Sequence, residues 1–220
     1  MSTAVMIIGE SGTGKSTSLR NLKPEQTLLI QAVRKPLPFR SKDWKPIAKG
    51  QPGSVFVSDN SAQIVEAMHR TTKDVIVIDD FQYVMANEFM RRVTDNETGN
   101  SAFAKYNEIA RHAWDVLTAA SSLADQKRVY LLSHTSTDEF GKTKIKTIGK
   151  LLDEKIVMEG LVTIVLRTAV INDQYLFRTR NNGSDTVKSP LGLFEAETIP
   201  NDLAAVDQAI TEFYGLTESA

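Results

Sequence analysis

The sequence predicts a mixed α/β fold in which helices flank a mostly parallel β-sheet and an antiparallel hairpin lies near the C-terminus. Short apolar runs, typical of buried parallel strands, alternate with segments of helical periodicity. The first apolar run is followed by a glycine-rich loop and a helical segment, which indicates a strand–loop–helix unit. Asn172 and Asp173 separate two β-prone segments, which indicates a tight hairpin turn.

Length and composition narrow the class of protein. The chain has 220 residues, so we expect one domain over residues 1–220, with a core over 4–194 and a C-terminal helix over 203–215. It is 41% hydrophobic and 24% charged, which is typical of a soluble globular protein. The net charge of -1 gives no overall attraction to nucleic acid, so a nucleic-acid surface would have to be a local patch.

Several features are missing from the sequence. It has no cysteine, which rules out disulfides, thiolate metal sites and a cysteine nucleophile. No basic segment precedes a longer apolar run at the N-terminus, and no stretch approaches the ~20 apolar residues that a membrane span needs. We therefore expect a cytoplasmic protein with no membrane partner.

The loop of residues 9–16 is the strongest functional signal. It follows an apolar run and fits the pattern G-x-x-x-x-G-K-[ST], known as a P-loop. Its glycines allow a tight bend whose N–H groups point at phosphate oxygens, and the next helix adds its positive dipole end. Lys15 is predicted to reach the β- and γ-phosphates, and the Ser16 hydroxyl to ligate Mg²⁺. The predicted nucleotide-binding residues are Gly9, Glu10, Ser11, Gly12, Thr13, Gly14, Lys15, Ser16 and Thr17.

A short buried strand is predicted for residues 27–30, and a long loop follows it. Residues 34–46 are rich in proline and basic side chains, and long loops in compact domains are usually functional or mobile. One interpretation is a lid over the nucleotide base or a contact for a partner. The other is a surface excursion that Phe39 and Trp44 hold against the core.

Residues 74–80 carry the second site motif. Four β-forming residues without a polar break favour a buried parallel strand, which ends in two carboxylates, Asp79 and Asp80. This is the Walker B pattern, and its place downstream of a P-loop strengthens it. We expect Asp79 to hold Mg²⁺ through water, opposite Ser16, and Asp80 to orient the attacking water. The alternative is a strand end with ordinary solvated acids.

Several other elements follow from periodicity alone. The sequence predicts an edge strand over residues 54–57, helices over 61–72, 81–93 and 101–124, a helical segment over 151–159, and a hairpin over 161–180. The buried face of the long third helix is predicted to comprise Phe103, Tyr106, Ala110, Ala113, Trp114 and Leu117.

Residues 128–134 are predicted to form a strand beside the two that carry the site motifs. Ligands in open α/β sheets bind at the carboxyl ends of the strands, so Ser133 and His134 would face the γ-phosphate. His134 is interpreted as a γ-phosphate sensor, and the alternative is a histidine that hydrogen-bonds locally. The predicted catalytic residues are Lys15, Asp80 and His134.

The segment after this strand, residues 135–150, is rich in lysine. Lysines on alternate residues would face one side of an extended strand and could track a phosphate backbone. The alternative is a solvated hairpin. The predicted DNA-binding residues are Lys142, Lys144, Lys146 and Lys150.

Basic residues also cluster where the C-terminal hairpin ends, at Arg178, Arg180 and Lys188. They could reach a nucleotide in a neighbouring subunit as a finger acting in trans, because an arginine has this role in many phosphoryl-transfer sites. The alternative is an exposed edge strand protected from aggregation by positive charge.

The order of these motifs resembles the RecA-like ATPase core over roughly residues 4–194. It looks most like short phage-encoded P-loop nucleotide-binding proteins, some of which anneal single strands in phage recombination. The resemblance implies ATP and Mg²⁺ as cofactors, and DNA-binding loops at residues 95–100 and 135–150. It also implies single-stranded DNA as a partner, assembly into a ring or filament, contact with a phage or host single-strand-binding or replication protein, and the host cytoplasm as location.

One departure from that family concerns water activation. RecA-like proteins usually carry a catalytic glutamate after the strand that follows the P-loop helix, but residues 30–33 contain no carboxylate. Either Asp80 or Glu10 takes over this role, or hydrolysis is slow.

The sequence therefore predicts an ATPase that couples its nucleotide state to single-stranded DNA. The lack of an Asn-Lys-x-Asp motif favours ATP over GTP. A second hypothesis is a nucleotide-dependent switch that binds a protein partner through residues 34–46. A third is a small-molecule kinase, which is less favoured because no arginine-rich lid is visible.

Overall fold

We describe the fold from a computed structural model, for residues 1–48, 51–95 and 101–216. In this part of the chain the strands are β1 (Thr3–Gly9), β2 (Thr27–Gln31), β3 (Val55–Val57), β4 (Val75–Asp79), β5 (Arg128–Thr137), β6 (Thr143–Ile145), β7 (Ile164–Ile171), β8 (Gln174–Arg178) and β9 (Thr198–Pro200). The α-helices are α1 (Ser61–Arg70), α2 (Gln82–Arg91), α3 (Ser101–Ser121) and α4 (Leu203–Tyr214).

The strands form a mixed sheet in the order β3-β2-β4-β5-β1-β7-β8-β9, and β6 pairs with the far end of β5. Strands β1 to β5 and β7 run parallel, whereas β8 is antiparallel to both of its neighbours. The predicted fold class is confirmed. Strand β5 lies between β1 and β4, as predicted, so the carboxyl ends of the three strands meet at one edge.

Both faces of the sheet are buried, which explains why its central strands are almost continuously apolar. In β1, Met6 and Ile8 face one hydrophobic cluster, while Val5 and Ile7 face the other. Helices α1, α2 and α3 cover the first face, and α4 covers the second together with the segment after the P-loop. Within the described residues, no helix has the length and apolar character that crossing a bilayer requires.

Helix α3 packs differently from the prediction over its first turns. Phe103 is 68% exposed, so its predicted place in the buried face was wrong. Among the described side chains of this helix, the first buried ones are Ile109 and Ala110. Ala110, Ala113 and Leu117 are buried as predicted, whereas Tyr106 and Trp114 are only partly buried.

The segment after the P-loop is a 3₁₀ helix, Ser16–Asn21, and the helix predicted there is shorter and tighter than expected. Its hydroxyl side chains compete for backbone groups, since the Ser18 hydroxyl donates to the Lys15 carbonyl at 2.6 Å. Residues 151–159 also differ from the prediction of one helical segment. They contain a π-helical turn, Leu151–Lys155, and the start of a 3₁₀ helix, Met158–Leu161.

The C-terminal hairpin has the predicted turn. Asn172 and Asp173 have φ of 50° and 59°, values that asparagine and aspartate tolerate better than most residues. Strand β9 pairs with β8 and was not predicted. Helix α4 has the predicted position, with the Asp202 side chain accepting from the Ala204 N–H at its N-terminus.

Candidate nucleotide-binding site

A cavity of about 440 Å³ lies where the carboxyl ends of β1, β4 and β5 meet. Strand ends from different parts of the chain converge there, as the topology of an open parallel sheet requires. The lining residues are Ser11, Gly12, Gly14, Lys15, Ser16, Thr17, Val33, Lys35, Pro36, Pro38, Asp80, Tyr83, His134 and Tyr175.

The P-loop bends tightly beside Thr168 of β7. Gly12 and Gly14 have φ of 79° and 97°, conformations that a side chain disfavours. Gly9 is required for a different reason, because a Cβ atom there would lie 1.8 Å from the Thr168 hydroxyl. That hydroxyl also lies 2.5 Å from the Thr13 hydroxyl, which anchors the loop to the sheet.

Lys15 is buried with its ammonium group on the inner side of the loop. Its Nζ donates to the carbonyl oxygens of Gly9 and Glu10, both at 2.9 Å. Burial lowers the pKa of Lys15, and the nearby carboxylates of Asp80 and Asp79 oppose this effect. Lys15 thus brings a poorly solvated cation to the cavity, where an incoming anion would find a strong partner.

Ser16 and Asp79 face each other across the sheet edge. The Ser16 hydroxyl lies 3.0 Å from both carboxylate oxygens of Asp79, which is fully buried at the end of β4. Burial raises the pKa of Asp79, and Lys35 opposes this shift. A hydroxyl beside a carboxylate is an oxygen donor set that suits Mg²⁺.

The donor set is small. Among the described residues, no group of three or more His, Cys, Asp or Glu side chains could hold a metal ion. Mg²⁺ is commonly bound by one or two carboxylates together with waters and substrate phosphates. Ser16 and Asp79 fit a site of that kind, in which the protein supplies only some of the ligands.

The buried Asp80 and the partly buried His134 form the second pair. His134 Nε2 lies 3.0 Å from Asp80 Oδ2, and His134 Nδ1 lies 3.4 Å from Lys15 Nζ. Burial lowers the pKa of His134, and Asp80 partly counters this. These contacts fit a neutral imidazole that donates to Asp80 from Nε2 and accepts from Lys15 at Nδ1. Asp80 Oδ1 is buried with no hydrogen-bond partner.

The cavity includes residues that the sequence did not single out, although it offered the loop of residues 34–46 as a lid over the nucleotide base. Lys35, Pro36 and Pro38 bring the proline-rich loop to its rim, and Lys35 Nζ lies 3.7 Å from Asp80 Oδ2. Tyr83 packs edge-on to the His134 ring. The composition of the loop was the one available signal, and it could not single out Lys35.

A second cavity, of about 470 Å³, continues beyond Thr17 towards β8 and β9. Tyr175 lines both cavities, and a Cβ atom on Gly14 would lie 2.9 Å from the Tyr175 ring. Asn201 also lines the second cavity, and its buried side-chain amide has no partner.

Strand β5 runs on from the site into the lysine-rich segment. The Lys146 N–H donates to the His134 carbonyl at 2.8 Å, and β6 pairs with the last residues of β5. Lys142 and Lys146 are exposed, whereas the Lys144 ammonium lies 2.8 Å from an Asp153 oxygen. Lys150 is exposed at the start of the π-helical turn. The segment therefore contains a short hairpin, in which Thr143–Ile145 pairs with the last residues of β5.

The basic residues of the C-terminal hairpin do not line the cavity. Arg178 of β8 lies opposite Arg167 of β7, and Arg167 in turn lies beside Ile8 of β1. The Arg180 side chain donates to the carbonyl of Glu195, and the backbone of Lys188 exchanges hydrogen bonds with that of Val165. Their role in trans stays a prediction. The other predicted DNA-binding loop, residues 95–100, lies outside the described residues except for Asp95.

The P-loop, the carboxylate at the end of β4 and the sheet order define a P-loop NTPase, a class of nucleotide-binding proteins. The chain belongs to the AAA domain family AAA_24, whose profile matches residues 1–191.

Solved structures similar to the chain include a KaiC-like protein from the archaeon Pyrococcus horikoshii OT3. It has 12% identity and a TM-score of 0.44 over 86% of this chain and 83% of that one. Another is the genome packaging NTPase of Sulfolobus turreted icosahedral virus 2 in complex with ATP-gammaS. It has 10% identity and a TM-score of 0.38 over 83% of this chain and 78% of that one. No curated protein sequence matches the chain significantly.

Proposed function

We propose that this protein is a Mg²⁺-dependent ATPase that couples its nucleotide state to the binding and annealing of single-stranded DNA. The observation that carries the proposal is the convergence of Lys15, Ser16, Asp79, Asp80 and His134 at one edge of the sheet. Lys15 and Ser16 follow β1, Asp79 and Asp80 lie at the end of β4, and His134 lies in β5. Lys15 contacts His134, His134 contacts Asp80, and Ser16 contacts Asp79.

The triphosphate would bind in the P-loop, with its N–H groups and Lys15 on the phosphate oxygens. The base and ribose would then extend past Thr17 towards Tyr175, since these two residues line both cavities. Ser16 and Asp79 would hold Mg²⁺, which supplies charge neutralisation between the β- and γ-phosphates.

Hydrolysis requires a water molecule in line with the bond to the leaving group. The water oxygen forms a bond to the γ-phosphorus, and the bond from that phosphorus to the bridging oxygen breaks, so ADP leaves with the electron pair. The water proton passes to Asp80, a carboxylate that lines the cavity and accepts from His134. Asp80 would thus activate the water, a role for which residues 30–33 provide no carboxylate.

Strand β5 offers a direct route from nucleotide to DNA. His134 contacts Lys15 and Asp80, and the pairing of β5 with β6 begins at the next residue, Thr135. A γ-phosphate that competes for these contacts would shift His134 and the base of the hairpin. Lys142 and Lys146 lie exposed beyond it and would contact phosphates of the strand.

The test measures ATP hydrolysis and single-stranded DNA binding by the wild type and by the double variant Lys142→Ala, Lys146→Ala. We expect DNA to change the hydrolysis rate of the wild type. In the double variant, the plot of log binding constant against log salt concentration should become less steep, by the equivalent of about two phosphate contacts. The matched control is Lys23→Ala with Lys42→Ala, which removes the same charge from exposed positions elsewhere.

If DNA alters neither the hydrolysis rate nor the affinity for ATP, the proposed coupling between nucleotide state and DNA binding is refuted. Hydrolysis without any DNA effect would favour the switch that binds a protein partner. Phosphate transfer to a small molecule rather than to water would favour the kinase.

A further inference from the structure

We propose that Lys35 is a second cation of the phosphate site, supplied by the chain's own proline-rich loop. In the conformation described here it pairs with Asp80. When a nucleoside triphosphate enters the cavity, Lys35 transfers to the γ-phosphate and gives up its contact with Asp80 Oδ2, which keeps its contact with His134. This inference rests on the proposed ATPase function and adds a residue to it.

The backbone fixes Lys35 at the rim of the cavity. The side chain of Gln31, buried at the end of β2, donates to the Lys35 carbonyl at 3.1 Å. Further along the loop, Leu37 and Phe39 pack against the hydrophobic cluster that contains the buried Trp44. The loop is therefore anchored on both sides of Lys35, and the lysine side chain has a defined starting point.

The side chain of Lys35 is held loosely. Its Nζ lies 3.7 Å from Asp80 Oδ2, and the Lys35 side chain is 38% exposed while that of Asp80 is 3% exposed. A flexible four-carbon stem allows the ammonium to exchange partners within the cavity. The charge of Lys35 already acts on the site, because it opposes the rise in the pKa of Asp79.

A γ-phosphate carries more negative charge than one carboxylate and offers more acceptor oxygens, so it would compete well for Lys35. Charge on the transferring phosphoryl group is neutralised by cations in enzymes of this kind. Among the described residues, two basic side chains line the cavity, and both are lysines, Lys15 and Lys35. The basic residues Arg178, Arg180 and Lys188 do not line it. Lys35 can fill this role without a neighbouring subunit.

The experiment compares Lys35→Gln, Lys35→Arg and the wild type, with Lys42→Gln as control because it removes an exposed lysine of the same loop. Three quantities are measured: single-turnover hydrolysis of ATP, and the dissociation constants of ATPγS and of ADP. We expect Lys35→Gln to lower the hydrolysis rate about 100-fold and to weaken ATPγS binding. ADP affinity should stay within about two-fold of the wild type, since ADP lacks the γ-phosphate.

Lys35→Arg should recover most of the lost rate because it keeps the positive charge, and Lys42→Gln should match the wild type. The proposal is overturned if Lys35→Gln hydrolyses ATP at the wild-type rate. It is also overturned if ATPγS and ADP affinities fall equally, which would indicate a structural role for the lysine. If the wild type hydrolyses no ATP, the proposed ATPase function fails, and the ratio of ATPγS to ADP affinity in Lys35→Gln still decides whether Lys35 meets the γ-phosphate.

Discussion

The two ends of the central sheet both bury charged side chains, but they use their hydrogen bonds differently. At the end opposite the P-loop, Arg128 is 3% exposed and its Nε and Nη2 donate to the two oxygens of Asp207 at 3.0 and 2.9 Å. The Tyr130 hydroxyl donates to the same carboxylate at 2.5 Å. Burial raises the pKa of Tyr130, so the phenol stays neutral and remains a donor.

Lys73 and Lys127 extend this pattern. Lys73 Nζ donates to three backbone carbonyls, of Pro24, Thr27 and Gly53, at 2.8 to 3.0 Å. Lys127 Nζ donates to the carbonyls of Thr71 and Lys73. These cations tie loops to strand ends, and their bonding capacity is used within the protein.

At the P-loop end, several buried polar atoms have no hydrogen-bond partner. Buried polar atoms without a partner there include Asp80 Oδ1, the Ser133 hydroxyl and the Asn201 amide. Thr27 Oγ1 is the counterpart at the other end. Leaving such atoms unpaired is costly in a packed interior. Buried charge and unpaired buried polar atoms thus occur at both ends, and more of the unpaired atoms lie at the P-loop end.

The largest effect on stability should come from Asp207→Ala. This change leaves the Arg128 guanidinium buried without its carboxylate, which costs about 3 to 5 kcal/mol. Urea unfolding measures the loss, with Asp125→Ala as control because its carboxylate is exposed. Affinity for ATP in the folded fraction should not change. A large loss of ATP affinity would break the comparison between the two ends.

A smaller loss of stability is expected for Gly9→Ala at the P-loop end. The new methyl group would overlap the Thr168 hydroxyl and force the loop away from β7, at a cost of about 1 to 3 kcal/mol. Thermal or urea unfolding tests this. Adding Thr168→Ala should recover part of the loss because it removes the clashing atom, and no recovery would show that the overlap is not the cause.

The smallest effect has the opposite sign. Asp79→Asn should stabilise the nucleotide-free protein by about 1 kcal/mol near neutral pH, because it removes a buried carboxylate whose ionised form is unfavourable. The raised pKa means that the folded protein retains the proton longer than the unfolded chain. Wild-type stability therefore falls as pH rises from the ordinary carboxyl range through the raised pKa of the folded state.

The advantage of Asp79→Asn should accordingly shrink as pH is lowered towards 3.8, the ordinary pKa of an aspartate carboxyl. Urea unfolding of both proteins across this pH range measures it. The same variant should lose Mg²⁺-dependent ATP binding, so stability and ligand binding would move in opposite directions. A destabilised variant at neutral pH would contradict the account.

The sequence was most informative where a function depends on adjacent residues. The P-loop and the β4 carboxylates are local patterns, and the parallel sheet follows from apolar runs that need no partner to be recognised. Lys35 could not be assigned, because its contact with Asp80 depends on how a loop folds back over the sheet. The pairing of Arg128 with Asp207 and the addition of β9 depend on distant segments in the same way.

The most direct test of the central claim is the dissociation constant of ATP with Mg²⁺, measured by titration calorimetry for the wild type and Lys15→Ala. If the inner side of the P-loop is the phosphate site, removing its ammonium group should weaken binding about 100-fold while the protein remains folded. Equal dissociation constants for the two proteins would contradict the assignment of the nucleotide to this edge of the sheet.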